Sequence, residues 1–427
     1  MTDPLRPSHG FSPRIEALAQ TLRPIFARIA SESINREHER VLAHDAVRCL
    51  LDAGFGALRV PVRYGGSGAS LPETFRLLEE LAEADSNLPQ IFRAHFAFVE
   101  GQLHRGDSPQ AVRWLEQVAR GALFGAAMAE LTDSTGTTTT LRPHPDASKA
   151  SWILDGTKYY STGTLYASWI VAVATDGADR IHVAVPVTAH GVTRVDDWDG
   201  FGQRLTGSGT TRFENVIVPD ENVLSRVPID AFPTNEYLTT YYQLFHLATL
   251  AGIGRAILRD AVAFVRPRTR TFGVPGQVAQ RHDPLVQGVV GRLSALSFSA
   301  DTLVEKVAWA LEDTSAQWAA GVDGGPAFEV AQVQAYQAQQ IVAPQVLEAA
   351  NLLFEVGGAS ATSATRRLDR HWRNARTLAS HNPLVQRQRE LGDLVLNGTA
   401  FGSRWRAHAT DAAPQAASTR TRPEQVA

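Results

Sequence analysis

Sulfur is almost missing from this chain of 427 residues: there is one cysteine, Cys49, and two methionines, one of them Met1. A single cysteine excludes intrachain disulfides and any metal centre built from several thiolates. Cys49 sits in "HDAVRCLLDAGF", on an apolar helical stripe, where it reads as a small buried hydrophobe. So little sulfur fits a protein made when sulfur is limiting, although chance and a GC-rich genome produce the same composition. Neither sign of charge dominates. Lys+Arg number 41 and Asp+Glu 44, a net charge of −3, which argues against nucleic acid as the main partner. No apolar run approaches the length that spans a bilayer. The start "MTDPLRPSHGFSPRIEAL" has no apolar stretch of the secretory kind, so the expected location is cytoplasmic. What is present is apolar mass: 44% hydrophobic residues, enough for a substantial core in two or three domains or one multilayer subunit.

The pattern divides the chain. Residues 12–120 read as helices. In "HDAVRCLLDAGF", Ala46, Val47, Leu50 and Leu51 share a face, with Asp45 as the expected N-cap and Gly54 as the stop. In "SLPETFRLLEELAEAD", Ser70 and Glu73 have capping-box spacing ahead of a stripe of Phe75, Leu78, Leu81 and Ala82. The glycine-rich "VPVRYGGSGAS" joins these segments. From about 121 the runs "ASWILDGTKYYSTG", "WIVAVAT", "IHVAVPV" and "TRFENVIVP" are β-rich, and Asp155-Gly156 is a hairpin signal. Helical periodicity returns near 237 in "TTYYQLFHLATLAGIGRAILRDAVAFVR", with Leu244, Leu247, Ala248, Ala251, Ile257 and Leu258 on a wide apolar face. More helices are expected around 284–315, 326–355 and 383–403, followed by a polar Ala/Pro/Thr-rich tail.

That order, with "LLDAGFGALRVPVRYGGSG", "GQRLTGSGTTRFENVIVPDENVL", "RTFG" and "FEVGGAS", resembles the acyl-CoA dehydrogenase fold over roughly 12–405. The resemblance implies an α+β architecture. An N-terminal helical domain would span 1–120, a β-barrel-like domain 121–230 and a C-terminal helical bundle 231–405 that oligomerises and contacts flavin, before a disordered tail at 406–427. It also places flavin contacts. In "KYYSTG", expected on a strand, Tyr160 and Thr162 would lie against the flavin ring, the hydroxyl reaching its redox-active edge. Packing of alternate strand residues is the other reading, and Ser161 is out of phase unless the strand bulges. "GAAMAELTDSTG" matches a loop that offers backbone N–H groups to flavin through Met128 and Ala129. The family's hydroxyl and proline are here Ala129 and Leu131, and Glu130 reads as a loop-fixing carboxylate. Arg268 and Arg270, before Phe272, would reach flavin phosphate, often across a subunit interface, unless they are a solvated helix end. Gly357 and Gly358 would allow close backbone approach, or form a helix cap.

The segment "NARTLASHNPL" narrows the branch. Where many acyl-CoA dehydrogenases carry Tyr-Glu-Gly-Thr, whose glutamate removes a proton, the frame puts His381 and Asn382, and an amide is not a base. "LDRHWRNARTLASHNPLVQRQRELGDLVLNG" resembles instead the flavin-dependent monooxygenases of the dibenzothiophene monooxygenase and sulfur-acquisition type. Such enzymes take reduced FMN from a separate flavin reductase. Oxygen adds at flavin C4a, and the hydroperoxide delivers one oxygen atom to a heteroatom, often sulfur. His381 would hydrogen-bond the oxygen adduct or pass it a proton; Asn382 would orient His381, contact flavin, or cap a turn.

On a helix that lines the family's substrate cavity, "QIFRAHFAFVE" offers His95, a candidate for catalysis or substrate contact, with Phe92, Phe96 and Val99 as an apolar wall. Phe245 and His246 are the corresponding candidates on the long helix. Core packing is the competing role for all of them. The reading is thus a two-component FMNH2-dependent monooxygenase of a small organosulfur compound, with no metal, acting as a homotetramer. An FAD-dependent acyl-CoA dehydrogenase, or a flavin-binding or helical assembly protein without catalysis, are the alternatives.

Overall fold

The computed structural model describes residues 10–131, 137–146, 148–229, 236–269, 279–319 and 325–401. Helices α1 (Pro13–Glu39), α2 (His44–Asp52), α3 (Leu71–Ala84), α4 (Asn87–Leu103) and α5 (Pro109–Ala119) come first. The capping box is present: Ser70 accepts from the Glu73 backbone N–H, and the Glu73 side chain returns to Ser70, a device worth typically about 1 kcal/mol. Two local expectations need correction. Asp45 is not the cap of α2; Ala43 holds that position, and Asp45 instead pairs with Arg48 in the first turn. Cys49 is only partly buried, because α2 presents it to Arg28, whose Nη2 donates to Sγ at 2.9 Å.

The sheet follows as β1 (Phe124–Ala127), β2 (Thr140–Pro143), β3 (Ser151–Lys158), β4 (Trp169–Thr175), β5 (Asp179–Pro186), β6 (Val192–Arg194), β7 (Thr211–Pro219) and β8 (Val223–Pro228). The strand order is β6-β7-β3-β2-β4-β5-β8, with β1 parallel to β4. Asp155-Gly156 is not a hairpin. It lies inside β3, which is hydrogen-bonded to β2 on one side and β7 on the other, and the irregularity is absorbed as a register shift between Leu154 and Gly156. Nor does "KYYSTG" continue the strand. β3 ends at Lys158, Tyr160 turns into the left-handed region at φ 57°, and Thr162 N–H closes on Tyr160 O at 2.8 Å. The alternation expected of a strand therefore stops before Tyr160.

The remaining helices are α6 (Glu236–Val265), α7 (Pro284–Ala319), α8 (Gly325–Leu352), α9 (Asp369–His381) and α10 (Leu384–Asn397). Helix α10 stops earlier than expected because Gly398 turns left-handed at φ 68° and caps Leu394 O. Helix α6 is buried along most of its circumference, from Tyr237 to Val265. It packs against α3, α4, α7, α8 and α9, so the N- and C-terminal helices share one hydrophobic core around it. The sheet has a separate core of Leu154, Ile170, Ile181, Val183, Phe213 and Val216. Stacked Phe98 and Phe124, with ring centroids 3.8 Å apart, fix α4 against β1. That contact sets the edge of helix α4 over the turn that follows β3.

Candidate functional site

A cavity of about 560 Å³ opens where the three parts of the chain meet, a size that suits a small-molecule site. Helix α4 contributes Gln90 and Arg93, the segment after β1 contributes Ala129, and the turn after β3 contributes Tyr160 and Thr162. The β6–β7 loop adds Trp198, Gly200, Phe201, Gln203, Thr206 and Ser208. The last turns of α9 add Thr377, Leu378, Ser380 and His381. None of these lining residues is a carboxylate.

The turn and the loop are tied by hydroxyls. Thr162 Oγ1 and Ser208 Oγ lie 2.9 Å apart, and Ser208 Oγ and Thr206 Oγ1 2.7 Å apart. The loop is pinned to α9 by Gln203 N–H donating to Asn374 Oδ1 at 2.7 Å. Gly202 makes this approach possible, since a Cβ there would stand 2.1 Å from Arg373 O. Asp197 secures the other end by accepting from Thr210 N–H and Oγ1, both at 2.7 Å. Tyr160 and Trp198 meet edge to face at 6.0 Å and form an aromatic wall.

His381 is the last residue of α9. Arg93 Nη2 donates to its Nε2 at 3.3 Å, so the ring proton sits on Nδ1, facing Asn382 Oδ1 at 3.4 Å. Although the ring is exposed to the cavity, desolvation by the protein around it first, and the Arg93 charge second, push its pKa down to about 4, so the neutral imidazole is favoured at pH 7. Its ring centroid lies 4.4 Å from that of His246, whose pKa burial also drives well down. Asn382 does not line the cavity; its amide donates to Gln243 Oε1 at 2.9 Å.

Several expected site residues fall elsewhere. His95 is fully buried, its Nε2–H donating to Gly56 O at 2.8 Å and its Nδ1 accepting from Phe124 N–H at 3.3 Å. With both ring nitrogens engaged by backbone, it has no ring nitrogen left for a substrate; Phe92 and Phe96 pack against it, and Phe245 packs against Phe96 in the core. His246 is buried next to His381 rather than in the cavity lining. Ser161 is buried, is not among the cavity-lining residues and has an unpartnered Oγ. Met128 is part-exposed and its carbonyl accepts from Lys158 Nζ at 3.3 Å. Glu130 binds Lys158 together with Thr137, Thr138 and Thr139. Arg268 stacks over Phe264 at 4.6 Å and reaches Ser360 at 3.4 Å. The face of Gly357 is closed by Phe264, and Gly358 turns left-handed at φ 53°. Neither glycine nor Arg268 lines the cavity, while Arg270 and Phe272 lie outside the described residues.

Arg93, Gln90, Trp198, Gln203 and Ser208 were not singled out from the sequence. The available signal for Arg93 was a cation in the mostly apolar run "QIFRAHFAFVE". Two residues apart on a helix is about 200° of rotation, so Arg93 and His95 face opposite ways.

Helices, sheet and helices converging on one cavity define the acyl-CoA dehydrogenase class of fold. The family model described as "Acyl-CoA dehydrogenase, N-terminal domain" matches residues 12–122, and that described as "Acyl-CoA dehydrogenase, C-terminal domain" matches 244–386. The chain is 31% identical to a Pseudomonas putida protein named "Probable FMNH2-dependent monooxygenase SfnC", over 89% of this chain and 94% of that one. Among solved structures it is similar to TdsC from Paenibacillus sp. A11-2 in complex with FMN and indole. The TM-score is 0.81, with 26% identity over 90% of this chain and 98% of that one. It is also similar to methanesulfinate monooxygenase MsuC from Pseudomonas fluorescens, with TM-score 0.79 and 28% identity over 92% and 98% of the two chains. The chain belongs to the acyl-CoA dehydrogenase family, in its branch of flavin-dependent monooxygenases.

Proposed function

We propose that this protein is the oxygenase component of a two-component, FMNH2-dependent monooxygenase that oxygenates a small organosulfur compound. One observation carries the reading: among the described residues the cavity holds an imidazole and a hydroxyl chain but no carboxylate. A dehydrogenase that removes a carbon-bound proton needs a base there; an oxygenase needs neutral hydrogen-bonding groups and exclusion of water. The similarity to proteins named for FMNH2 and methanesulfinate, and to a structure with FMN, supports the cofactor and the substrate class.

The residues present fit a flavin. Both side-chain amide atoms of Gln203 and Oε1 of Gln90 are buried at the cavity without partners, a cost that a planar heteroatom-rich ring relieves. Tyr160 and Trp198 would flank the ring, with the Thr162 and Ser208 hydroxyls at its edge. Bound reduced FMN supplies the two electrons by which one oxygen atom of O2 enters the substrate and the other leaves as water. The chain's own part is binding, orientation and proton management: His381, neutral at pH 7, both accepts and donates a proton.

A separate flavin reductase supplies the reduced flavin. The assembly is a homotetramer, a dimer of dimers. Exposed Leu285 and Phe298 on α7, and Val395 and Leu396 on α10, support this. Arg268, Arg270, Phe272, Gly357 and Gly358 would then serve the flavin of a neighbouring subunit. No described helix is long and apolar enough to cross a membrane, and the proposed location is the cytoplasm.

Oxygen uptake with reduced FMN and a panel of sulfides, sulfones, sulfinates and amines tests the reading, with the product's new oxygen traced from labelled O2. FAD binding as tight as FMN, or dye reduction by any acyl-CoA, would overturn it.

A further inference from the structure

Several buried or half-buried arginines in this protein are met by carboxylates, whereas half-buried Arg105 and Arg194 donate to the Gln110 amide and the Thr164 carbonyl. Arg36 faces Asp85, Arg59 faces Glu100, Arg255 lies between Glu79 and Asp301, and Arg370 faces Asp260. Arg93 is different. Its Nε is buried with no hydrogen-bond partner, its Nη2 donates only to the neutral His381, and its guanidinium lies 4.9 Å from the Tyr242 ring centroid. Among the described residues no acidic group pairs with it. Leaving a half-buried cation without an anion is costly, and the surrounding protein lowers the pKa of Arg93. The side chain nonetheless lines the cavity and is directed at the same imidazole that the proposed chemistry uses.

We infer that Arg93 is the recognition site for an anionic substrate, a small organic oxyanion whose charged head replaces the missing carboxylate. A planar guanidinium fork suits a group with two or three oxygens. This inference rests on the monooxygenase reading only for the identity of the head group. A sulfinate is the oxyanion that also presents an oxidisable sulfur: RSO2⁻, O2 and reduced FMN give RSO3⁻, oxidised FMN and water. The sulfur gains one oxygen and is oxidised by two electrons. The other oxygen atom takes two electrons and two protons from reduced flavin. Held through its oxygens by Arg93, the sulfur would lie beside His381. The neutral aromatic wall of Tyr160 and Trp198 would then be left for the flavin.

The test uses the full chain loaded with FMN, as wild type, Arg93→Lys and Arg93→Gln. Binding of methanesulfonate, which has the head group of a sulfinate product and is not oxidised further, is measured by calorimetry. FMN affinity is measured separately by fluorescence quenching, and turnover is measured with methanesulfinate and with neutral dimethyl sulfone. The wild type should bind methanesulfonate and favour the sulfinate over the sulfone. Arg93→Gln should weaken sulfonate binding at least about thirtyfold, and Arg93→Lys less, with FMN affinity held within about threefold in both. Without ligand, Arg93→Gln should melt at or above the wild-type temperature, because it removes an uncompensated charge. Unchanged sulfonate binding in Arg93→Gln, a parallel loss of FMN affinity, or a large drop in melting temperature would each overturn the assignment. The two readings fail separately. Arg93-dependent sulfonate binding with no oxygenation of any substrate sinks the monooxygenase reading and leaves the anion site. Oxygenation of neutral sulfides with no sulfonate binding does the reverse.

Discussion

Arg93 Nη2 donates to His381 Nε2 across 3.3 Å, joining helix α4 to the end of α9 over 288 positions of chain. The contact fixes the tautomer of His381 and keeps the imidazole neutral, since a protonated ring would face the guanidinium directly. It also brings a cation and a proton carrier to one wall of a cavity that has no carboxylate among its described lining residues.

Lys158 is fully buried at the end of β3 and pairs with Glu130, which is also buried and bound by three threonines. Burial works against both charges. For Glu130 the hydrogen bonds from Lys158, Thr137 and Thr138 outweigh burial and hold its pKa below the usual carboxylate range. Glu130→Gln leaves the ammonium uncompensated. It should lower stability by roughly 3 kcal/mol or more, read as the shift in urea unfolding midpoint. Adding Lys158→Met should recover most of the loss. A single variant as stable as wild type would mean that the pair does not anchor the turn.

Burial lowers the pKa of His95 to about 4, from an ordinary value of 6.5. Between those values the unfolded chain takes up a proton that the folded one refuses. Its contribution to stability is therefore present above about pH 6.5, is lost as pH falls toward 4, and is then flat. The loss from this group is on the order of 3 kcal/mol. Protonation would also remove the acceptor for Phe124 N–H. Unfolding midpoints taken from pH 7.5 down to 4 should fall, and His95→Gln should flatten that slope. An equal slope in the variant would assign the pH dependence to the other buried histidines, His246 and His371.

The fold was legible in the sequence because its long elements announce themselves by period and caps. Ser70 and Glu73 mark the start of α3, and the apolar breadth of "YYQLFHLATLAGIGRAIL" marks a helix surrounded by others. Helix α9 was not legible as an element. It is rich in arginine and asparagine, and its buried apolar residues are few, chiefly Ala375, Leu378 and Ala379. The resemblance pointed to His381 and Thr162, which line the cavity, and also to His95, which does not. That difference lies in helix phase and backbone pairing, neither of which a residue's identity reveals. The "KYYSTG" segment was misread as strand because its aromatic and hydroxyl residues favour strands, while the left-handed Tyr160 is set by the surrounding loops. Arg93 was hidden for a related reason: the missing counter-ion is visible only once every nearby element is in place.

Thr162 Oγ1 shares a hydrogen bond with Ser208 Oγ at 2.9 Å, and Ser208 another with Thr206 Oγ1 at 2.7 Å. Thr162→Val keeps the shape and removes one hydroxyl. If that hydroxyl contacts flavin, FMN affinity should fall by about three- to tenfold, the worth of one hydrogen bond. Thr162→Ser should keep most of it. Fluorescence titration checks both variants. Unaltered affinity in Thr162→Val would confine the hydroxyl to holding the β6–β7 loop.

His381→Ala should separate binding from chemistry. The residue ends α9 and is the imidazole exposed to the cavity, while the loop that shapes the cavity is held to α9 by Asn374 and Gln203. Removing the ring leaves that support intact, so FMN affinity should stay within about tenfold, roughly 1.4 kcal/mol. Product formation should fall by about 10²–10⁴-fold, the usual worth of a positioned acid–base group. The reason is timing: an interaction made only after oxygen enters affects the chemical step and not the first encounter. Oxygen should still be consumed, but as hydrogen peroxide rather than product, and the ratio of the two is the direct readout. The wild-type profile should show no ionisation of His381 near its ordinary value, because desolvation by the surrounding protein and the Arg93 charge move it down to about 4. Arg93→Gln removes the second of those causes, so the acid limb of product formation should then move toward higher pH. Product formation at the wild-type rate in His381→Ala, with no rise in peroxide, would make the ring a packing residue against His246 and transfer the proton step to the hydroxyl chain.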